Sequence, residues 1–382
     1  MIVEVRKAGF INKGAELMLL ATIEKVRERY PEAIFTMAPT TEQGSQPFSK
    51  LVKLGFFPKA WLWRHGINFG SLANFLPRKL RSMYGLILDR DVDVVLDAAG
   101  FSYSDQWGDN SSKELADSSR RWRRRGTAVI LLPQAFGPFS STSAKKHVKE
   151  WVSNADLVFA RDKVSLNYIT DVVGRSEKVC LSHDFTNLIS GTLPLYFDKE
   201  NLKVALVPNY RMIDKTSKVS GRDYLDFMVS CACYLVDIGA KPFILVHESA
   251  DDERLAEVIS TKAGGLAIIK EENPLAVKAI IGQCEATIGS RFHGLVSALS
   301  QGVPSIATGW SHKYEQLFKD YEFAEGVLDV NCSDEHIKKS IDLILNCHTL
   351  REKIVERSGF WKKESLSMWL QVYSMIDEKL SK

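Results

Sequence analysis

Short, nearly uninterrupted apolar runs, each followed by a stretch of helical periodicity, constrain this chain more than any other feature. Residues 128–132 (Ala-Val-Ile-Leu-Leu), 157–160 (Leu-Val-Phe-Ala) and 242–246 (Pro-Phe-Ile-Leu-Val) offer no polar position to solvent. A strand wetted on one face would alternate, so such runs are buried on both faces. That calls for a parallel sheet with helices above and below it. In the first half the strands are read at 2–5, 33–37, 92–97, 128–132 and 157–160, with helices at 15–29 and 112–125. Residues 133–138 are read as a loop, and 40–85 as an irregular insertion carrying Trp61 and Trp63. After a break at 190–201, which holds Gly191 and Pro194, the pattern resumes. Strands are expected at 203–207, 242–246, 266–269, 286–288 and 305–307, with helices at 221–238, 251–263, 274–284 and 295–300. From 333 onward all is helix. Phe360, Trp361, Met368, Trp369, Tyr373 and Ile376 fall near helical spacing and predict one apolar stripe packing across the domains. A length of 382 residues suits two domains. They are expected at 1–195 and 196–382, the C-terminal helices packing back toward the first, with the strand ends of both facing a cleft.

Charge excludes some classes of function. Lys and Arg number 50 against 47 Asp and Glu, a net charge of +3, which makes no case for nucleic acid. One basic cluster stands out: Arg120, Arg121, Arg123, Arg124 and Arg125 around Trp122. It reads first as the solvated end of a helix, where the dipole favours cations, and second as a contact for anionic lipid or polyphosphate. The six cysteines form no Cys-x-x-Cys pair and no metal-finger spacing, which points to a reducing compartment and no metal. The chain opens on its first strand with no leader, and no run is long and apolar enough to span a bilayer. A cytoplasmic protein is expected.

Polar residues at strand ends carry the chemistry. Gly289-Ser290-Arg291-Phe292-His293-Gly294 follows the strand at 286–288 and precedes a helix. It sets a permanent cation two residues from a group suited to proton transfer near neutral pH, where open α/β sheets bind ligands. Asn12, Glu16, Gln134, Arg161 and Asp184 occupy comparable positions in the first half, as do Asn209, His247, Glu248, His312 and Lys313 in the second. Asp162 reads as a helix cap. The loop from Gly9 to Gly14 could hold an anion on its amides, but it lacks the spacing of a dinucleotide fingerprint or a P-loop. Neither a G-x-S-x-G elbow nor an H-E-x-x-H helix is present. His65, His147, His336 and His348 read as bystanders.

Taken together, these motifs resemble the polysaccharide pyruvyl transferase family. The most specific match runs from Gly289 to Pro304 and continues in Gly309-Trp310-Ser311-His312-Lys313-Tyr314. Asn12 to Glu16, the Gln134-x-x-Gly137-Pro138 stretch, Ala160-Arg161-Asp162 and Val246-His247-Glu248 fit as well. Ala15 stands where many members carry an acid, which leaves Glu16 available. The resemblance implies two Rossmann-like, doubly wound domains of the glycosyltransferase-B type. It implies transfer of a pyruvyl group from phosphoenolpyruvate to two hydroxyls of a sugar in a surface polysaccharide precursor, often on a lipid carrier. Phosphoenolpyruvate serves as co-substrate, with no cofactor. By the family pattern Arg161 and Arg291 anchor the donor, with Ser290 and Lys313 assisting; the place of His293 two residues from Arg291 makes it the expected acid–base group, with His247 in reserve. Asn12, Glu16, Gln134, Asp184 and His312 are placed on the acceptor side or as accessories, and Trp61 and Trp63 are candidates for a sugar face. Two rivals are carried: a nucleotide-sugar glycosyltransferase of the same architecture, and a non-catalytic glycan-binding module. Peripheral contact with the inner face of a membrane, through the arginine cluster or the last helix, is a further expectation.

Overall fold

A computed structural model describes residues 1–39, 44–64, 67–214, 218–309 and 312–381. Trp310, Ser311 and His65, together with the side chains of Trp63 and His312, lie outside the described residues. The chain divides into two compact units, Met1–Phe185 with Glu364–Lys382, and Thr186–Lys363.

The first unit begins with β1 (Ile2–Arg6), α1 (Lys13–Arg29), β2 (Ile34–Met37), α2 (Phe48–Lys53) and β3 (Phe56–Pro58). A small antiparallel hairpin of β4 (Trp63–Arg64) and β5 (Ile67–Asn68) follows, then a 3₁₀ helix at Phe69–Phe75 and α3 (Arg78–Met83). Then come β6 (Val94–Asp97), α4 (Asn110–Arg125), β7 (Ala128–Gln134), α5 (Thr142–Asn154), β8 (Leu157–Ala160), α6 (Lys163–Val173) and β9 (Val179–Leu181). Among the described residues the main sheet is parallel, in the order β3-β2-β1-β6-β7-β8-β9. Strands β6, β7 and β8 are buried at every position, as their composition requires.

Three expectations change here. The stretch 40–85 is not simply irregular: Phe56–Pro58 adds an edge strand to the main sheet beside β2. An edge tolerates Pro58, because no further strand needs its missing N–H. Strand β7 runs on to Gln134, so Pro133 and Gln134 belong to the sheet and not to a loop. Beyond that stretch, α5 and β9 of the first unit also go unread in the sequence. Helix α5 is nonetheless well specified, with Ser141 capping it and Ala144, Val148, Trp151 and Val152 forming its buried stripe.

The arginine cluster at the end of α4 is largely neutralised within its own unit. Arg120 pairs with Glu150, Arg121 and Arg125 with Asp89, and Arg123 with Asp156. Trp122 is fully buried and donates its indole N–H to Asp89. Trp61 is buried too, beneath Lys59 and Arg121, so it offers no open face to a sugar ring.

The second unit holds β10 (Val204–Val207), α7 (Arg211–Asp214), α8 (Lys218–Asp237), β11 (Pro242–Val246), α9 (Ala250–Lys262), β12 (Ile268–Lys270), α10 (Pro274–Gly282), β13 (Ala286–Gly289), α11 (Phe292–Leu299), β14 (Ser305–Ala307), α12 (His312–Asp320) and α13 (Asp334–Asn346). Its parallel sheet runs β12-β11-β10-β13-β14. Alternate residues fill two cores. Val204, Leu206, Ile244 and Ile288 pack into one, Ala205, Val207, Phe243 and Leu245 into the other. The last helix, α14 (His348–Leu380), belongs to the second unit up to Lys363 and to the first from Glu364. Met368, Trp369 and Ile376 are buried as the stripe predicts, whereas Phe360 is exposed beside Arg357. Among the described residues no helix is long and apolar enough to cross a membrane.

Candidate active site at the carboxyl ends of the parallel strands

Both sheets reverse their winding between the third and fourth strands of the order, at β1/β6 and at β10/β13. Chain leaving those strand ends diverges to opposite sides and opens a crevice, where doubly wound sheets bind ligands. In the second unit the residues beyond β13 are Ser290 and Arg291, so the Arg-Phe-His block stands at that point. Gly289 is needed there. A Cβ on it would lie 2.9 Å from both the Cβ and the carbonyl oxygen of Val207 on β10.

The turn that follows is braced from two directions. Asn209 Nδ2 donates to the Ser290 carbonyl at 2.8 Å, and the Tyr314 hydroxyl donates to the same oxygen at 2.9 Å. Tyr314 reaches it because Gly309 carries no side chain; a Cβ there would come within 2.3 Å of the tyrosine ring. The Gly309-to-Tyr314 motif is thereby tied physically to the block at 289–294. Asn209 is itself fixed, its backbone N–H donating to the Tyr224 hydroxyl at 2.9 Å.

Arg291 caps α11, and carboxylates hold its guanidinium. It donates to Asp252 at 2.5 Å and pairs with Glu248. Asp252 is fully buried, takes part in the capping box of α9, and accepts the Tyr210 N–H at 2.9 Å. Burial pulls the Arg291 pKa down, to about 10, still far enough above neutrality to keep it a cation. Arg291 is therefore engaged in an ion pair inside the second unit in this structure. Helix α11 starts at Phe292, earlier than the sequence predicts, so His293 sits in its first turn. The Phe292 and His293 rings meet edge to face, 5.5 Å between centroids. Lys313 Nζ lies 5.2 Å from the centre of the Phe292 ring and 5.3 Å from that of Tyr314. His247 is buried, and its Cδ2 would lie 3.7 Å from a Cβ on Gly294, with the Arg291 Cβ at 3.6 Å. Ser290, Arg291, His293, His247 and Lys313 thus gather around one turn.

In the first unit the strand ends form a buried polar row. Gln134 closes β7, and its Nε2 donates to the Asp97 carbonyl at 3.3 Å. The Arg161 N–H donates to the Gln134 carbonyl at 2.9 Å, and the Arg161 guanidinium pairs with Asp184 at 3.4 Å. Gln134, Arg161 and Asp184 are therefore brought together. Asn12 caps α1, accepting the Ala15 N–H at 2.8 Å, with Glu16 in the same first turn. Asp162 caps α6 through Ser165, as expected.

Several residues of these sites escape the sequence reading. At the β1/β6 switch point Arg6 binds Asp97 at 3.2 Å and Glu114 at 2.5 Å, and the Tyr103 hydroxyl donates to Asp97 at 2.7 Å. All four are buried. An ionisable residue closing an apolar strand was the available signal for Arg6 and Asp97. Glu114, a residue of helix α4, left none, and neither did Asp252 or Tyr314 as braces. Among the described residues no group of three or more His, Cys, Asp or Glu is placed to hold a metal ion.

Known structures share this fold at low sequence identity. UDP-GlcNAc 2-epimerase from Neisseria meningitidis, solved with UDP-GlcNAc, is 10% identical with a TM-score of 0.57, covering 96% of this chain and 100% of that one. Anabaena Alr3699/HepE, solved with UDP-glucose, is 12% identical with a TM-score of 0.56, over 100% and 99% of the two chains. A putative UDP-N-acetylglucosamine 2-epimerase from Listeria monocytogenes is 10% identical with a TM-score of 0.58, over 99% and 96%. These likenesses establish two Rossmann-like sets of the glycosyltransferase-B kind. The sequence itself matches Polysaccharide pyruvyl transferase over residues 12–312, a span that includes the strand-end residues of both units from Asn12 to His312. With that match the chain belongs to the polysaccharide pyruvyl transferase family.

Proposed function

We propose that the protein transfers a pyruvyl group from phosphoenolpyruvate to two hydroxyls of a sugar, forming a cyclic ketal and releasing phosphate. The observation that carries this reading is the Arg291–His293 block at the β10/β13 switch point of a chain in this family. The donor's methylene carbon takes a proton and becomes a methyl group. One sugar hydroxyl then adds to the neighbouring carbon, the carbon–oxygen bond to phosphate breaks, and the second hydroxyl closes the ketal. One hydroxyl proton replaces the proton given to the methylene and the other leaves with phosphate, so the balance closes without oxidant or cofactor. His293 is the proposed proton donor, with His247 as the neighbouring alternative. Arg291 and the first turn of α11 meet the donor's anionic end, since backbone N–H groups at a helix start favour anions. Ser290 and Lys313 assist, and Arg161 is the proposed second cation. Glu16, Asp184, Asn12, Gln134 and His312 are retained as candidates for the acceptor. The acceptor is taken to be a polysaccharide precursor, lipid-linked or free.

Two features of Arg291 refine the role. Asp252 fixes the plane of its fork, and Glu248, the more exposed partner, occupies the side an anion would take. Donor binding would therefore loosen the Glu248 contact.

Phosphate release from phosphoenolpyruvate across a panel of sugars tests the reading. The wild-type protein should release phosphate only with an acceptor. His293→Ala should lose about 10²- to 10⁴-fold in turnover while remaining folded. No release with any acceptor, alongside thermal stabilisation by UDP, GDP or CMP, would favour a nucleotide-sugar glycosyltransferase, the reading that the UDP-bound neighbours motivate.

A further inference from the structure

From Gln43 to Leu88 the chain contains no Asp or Glu and seven Lys or Arg, so this stretch carries +7 of a total of +3, leaving −4 for everything else. The same stretch exposes large apolar side chains. A 3₁₀ helix has three residues per turn, so positions i, i+3 and i+6 eclipse. In Phe69–Phe75 those positions are Phe69, Leu72 and Phe75, and all three face solvent, Leu72 at 64% and Phe75 at 86% exposure. In α3 and its cap, Leu80, Met83 and Tyr84 share a helical face at spacings of three and four, and they are exposed too, Met83 at 70% and Tyr84 at 72%. Arg78 and Lys79 stand exposed among them. Elements this short normally bury their apolar face against the sheet. Here the face points outward with Arg78 and Lys79 exposed on it, while Lys59 is buried against Glu4 and Asp89 and Arg81 pairs with Asp91.

We propose that the outer face of residues 69–84 is a membrane-docking surface for anionic lipid. Apolar and aromatic side chains would enter the interface while Arg78 and Lys79 remain at headgroup level. Charge complementarity selects this occupant. With Lys59 and Arg81 compensated by carboxylates of their own unit, the acid-free segment still carries Lys50, Lys53, Arg64, Arg78 and Lys79 on a chain otherwise negative. It is drawn to an anionic surface, which repels the remainder and so orients the molecule. Neither the arginine cluster, which is paired internally, nor the last helix is required. The inference does not depend on the reaction catalysed.

Co-sedimentation of the full chain with vesicles of phosphatidylglycerol and phosphatidylcholine in equal parts tests it. The wild-type protein should sediment with these vesicles, less so as salt rises, and not with phosphatidylcholine alone. Arg78→Gln and Lys79→Gln should each reduce partitioning about five-fold. The triple variant Leu72→Ser, Phe75→Ser, Met83→Ser should abolish sedimentation with an unchanged melting temperature, because the three side chains are exposed. Failure of the wild-type protein to sediment, or sedimentation of the triple variant at the wild-type level, would overturn the proposal. So would a concentration-dependent dimer abolished by the triple variant, which would assign the face to a second copy of the chain.

Discussion

Arg291 looks in the sequence like an uncommitted cation and is found in the structure between two carboxylates, one rigid and one more exposed. If Glu248 competes with the donor, Glu248→Gln removes the competing charge and keeps the shape of the side chain. Its expected effect is tighter binding of phosphoenolpyruvate, by up to about five-fold for the loss of one partly exposed ion pair. Isothermal titration measures this directly, and weaker binding would assign Glu248 to the site as a helper and not a competitor. Arg291→Lys should act in the opposite direction, because lysine keeps the charge but cannot hold Asp252 and an anion through one planar fork. The motif itself was legible, since Arg and His two residues apart at a strand end carry meaning in any α/β sheet. The partners were not. Asp252 lies 39 residues before Arg291 and comes into contact only because α9 packs beside β11.

At the scale of elements, the carboxyl end of β13 shows how small residues position a site. Gly289 lets β13 approach β10, and Gly309 lets Tyr314 reach the Ser290 carbonyl. Gly289→Ala would force its new methyl group against backbone and side chain of Val207, with nothing flexible to yield. Overpacking of this kind costs about 1 to 3 kcal/mol, which urea unfolding would register. Turnover should fall as well, because the turn carrying Arg291 must shift. Phenylalanine in place of Tyr314 separates the bracing role from packing: the ring stays, the bond to Ser290 is lost, and the expected loss is about 1 kcal/mol. The apolar runs made most strands legible, while β9 and β3 were too short and too partly exposed to announce themselves. The length of β7 was missed because Pro133 reads as a breaker, whereas the register with β8 shifts between Leu131 and Gln134 and so accommodates the missing N–H within the strand.

For the whole molecule, buried charge in the first unit sets the response to acid. Burial alone would raise the Glu114 pKa, but the adjoining Arg6 guanidinium reverses this and brings it from an ordinary 4.5 down to about 2. Asp89 is held well below the usual range despite its burial, by Lys59 and the indole N–H of Trp122. A carboxylate with a depressed folded-state pKa contributes stability above its unfolded value and loses it as pH falls toward the folded one. The first unit should therefore lose stability between about pH 4.5 and 2. Glu4, raised by burial, acts with the opposite sign at higher pH, where protonation favours the folded chain. Tryptophan fluorescence during acid titration would follow the loss, and Glu114→Gln should flatten it. Glu114→Ala should cost about 3 to 5 kcal/mol at neutral pH, because it leaves Arg6 buried with half its partners gone.

The sequence by itself determined that this chain forms parallel sheets covered by helices, because runs with no polar position can be accommodated in few other ways. It also determined the family, through motifs spread from Asn12 to Lys313, and the turn on which the chemistry is expected. What only the tertiary structure decided is the state of the charges. The carboxylates on Arg291, the Arg6–Asp97–Glu114 network and the acid-free apolar face of residues 69–84 depend on which distant residues share a neighbourhood and which are left to solvent. Periodicity reports how a residue faces its own element; it does not report what stands opposite.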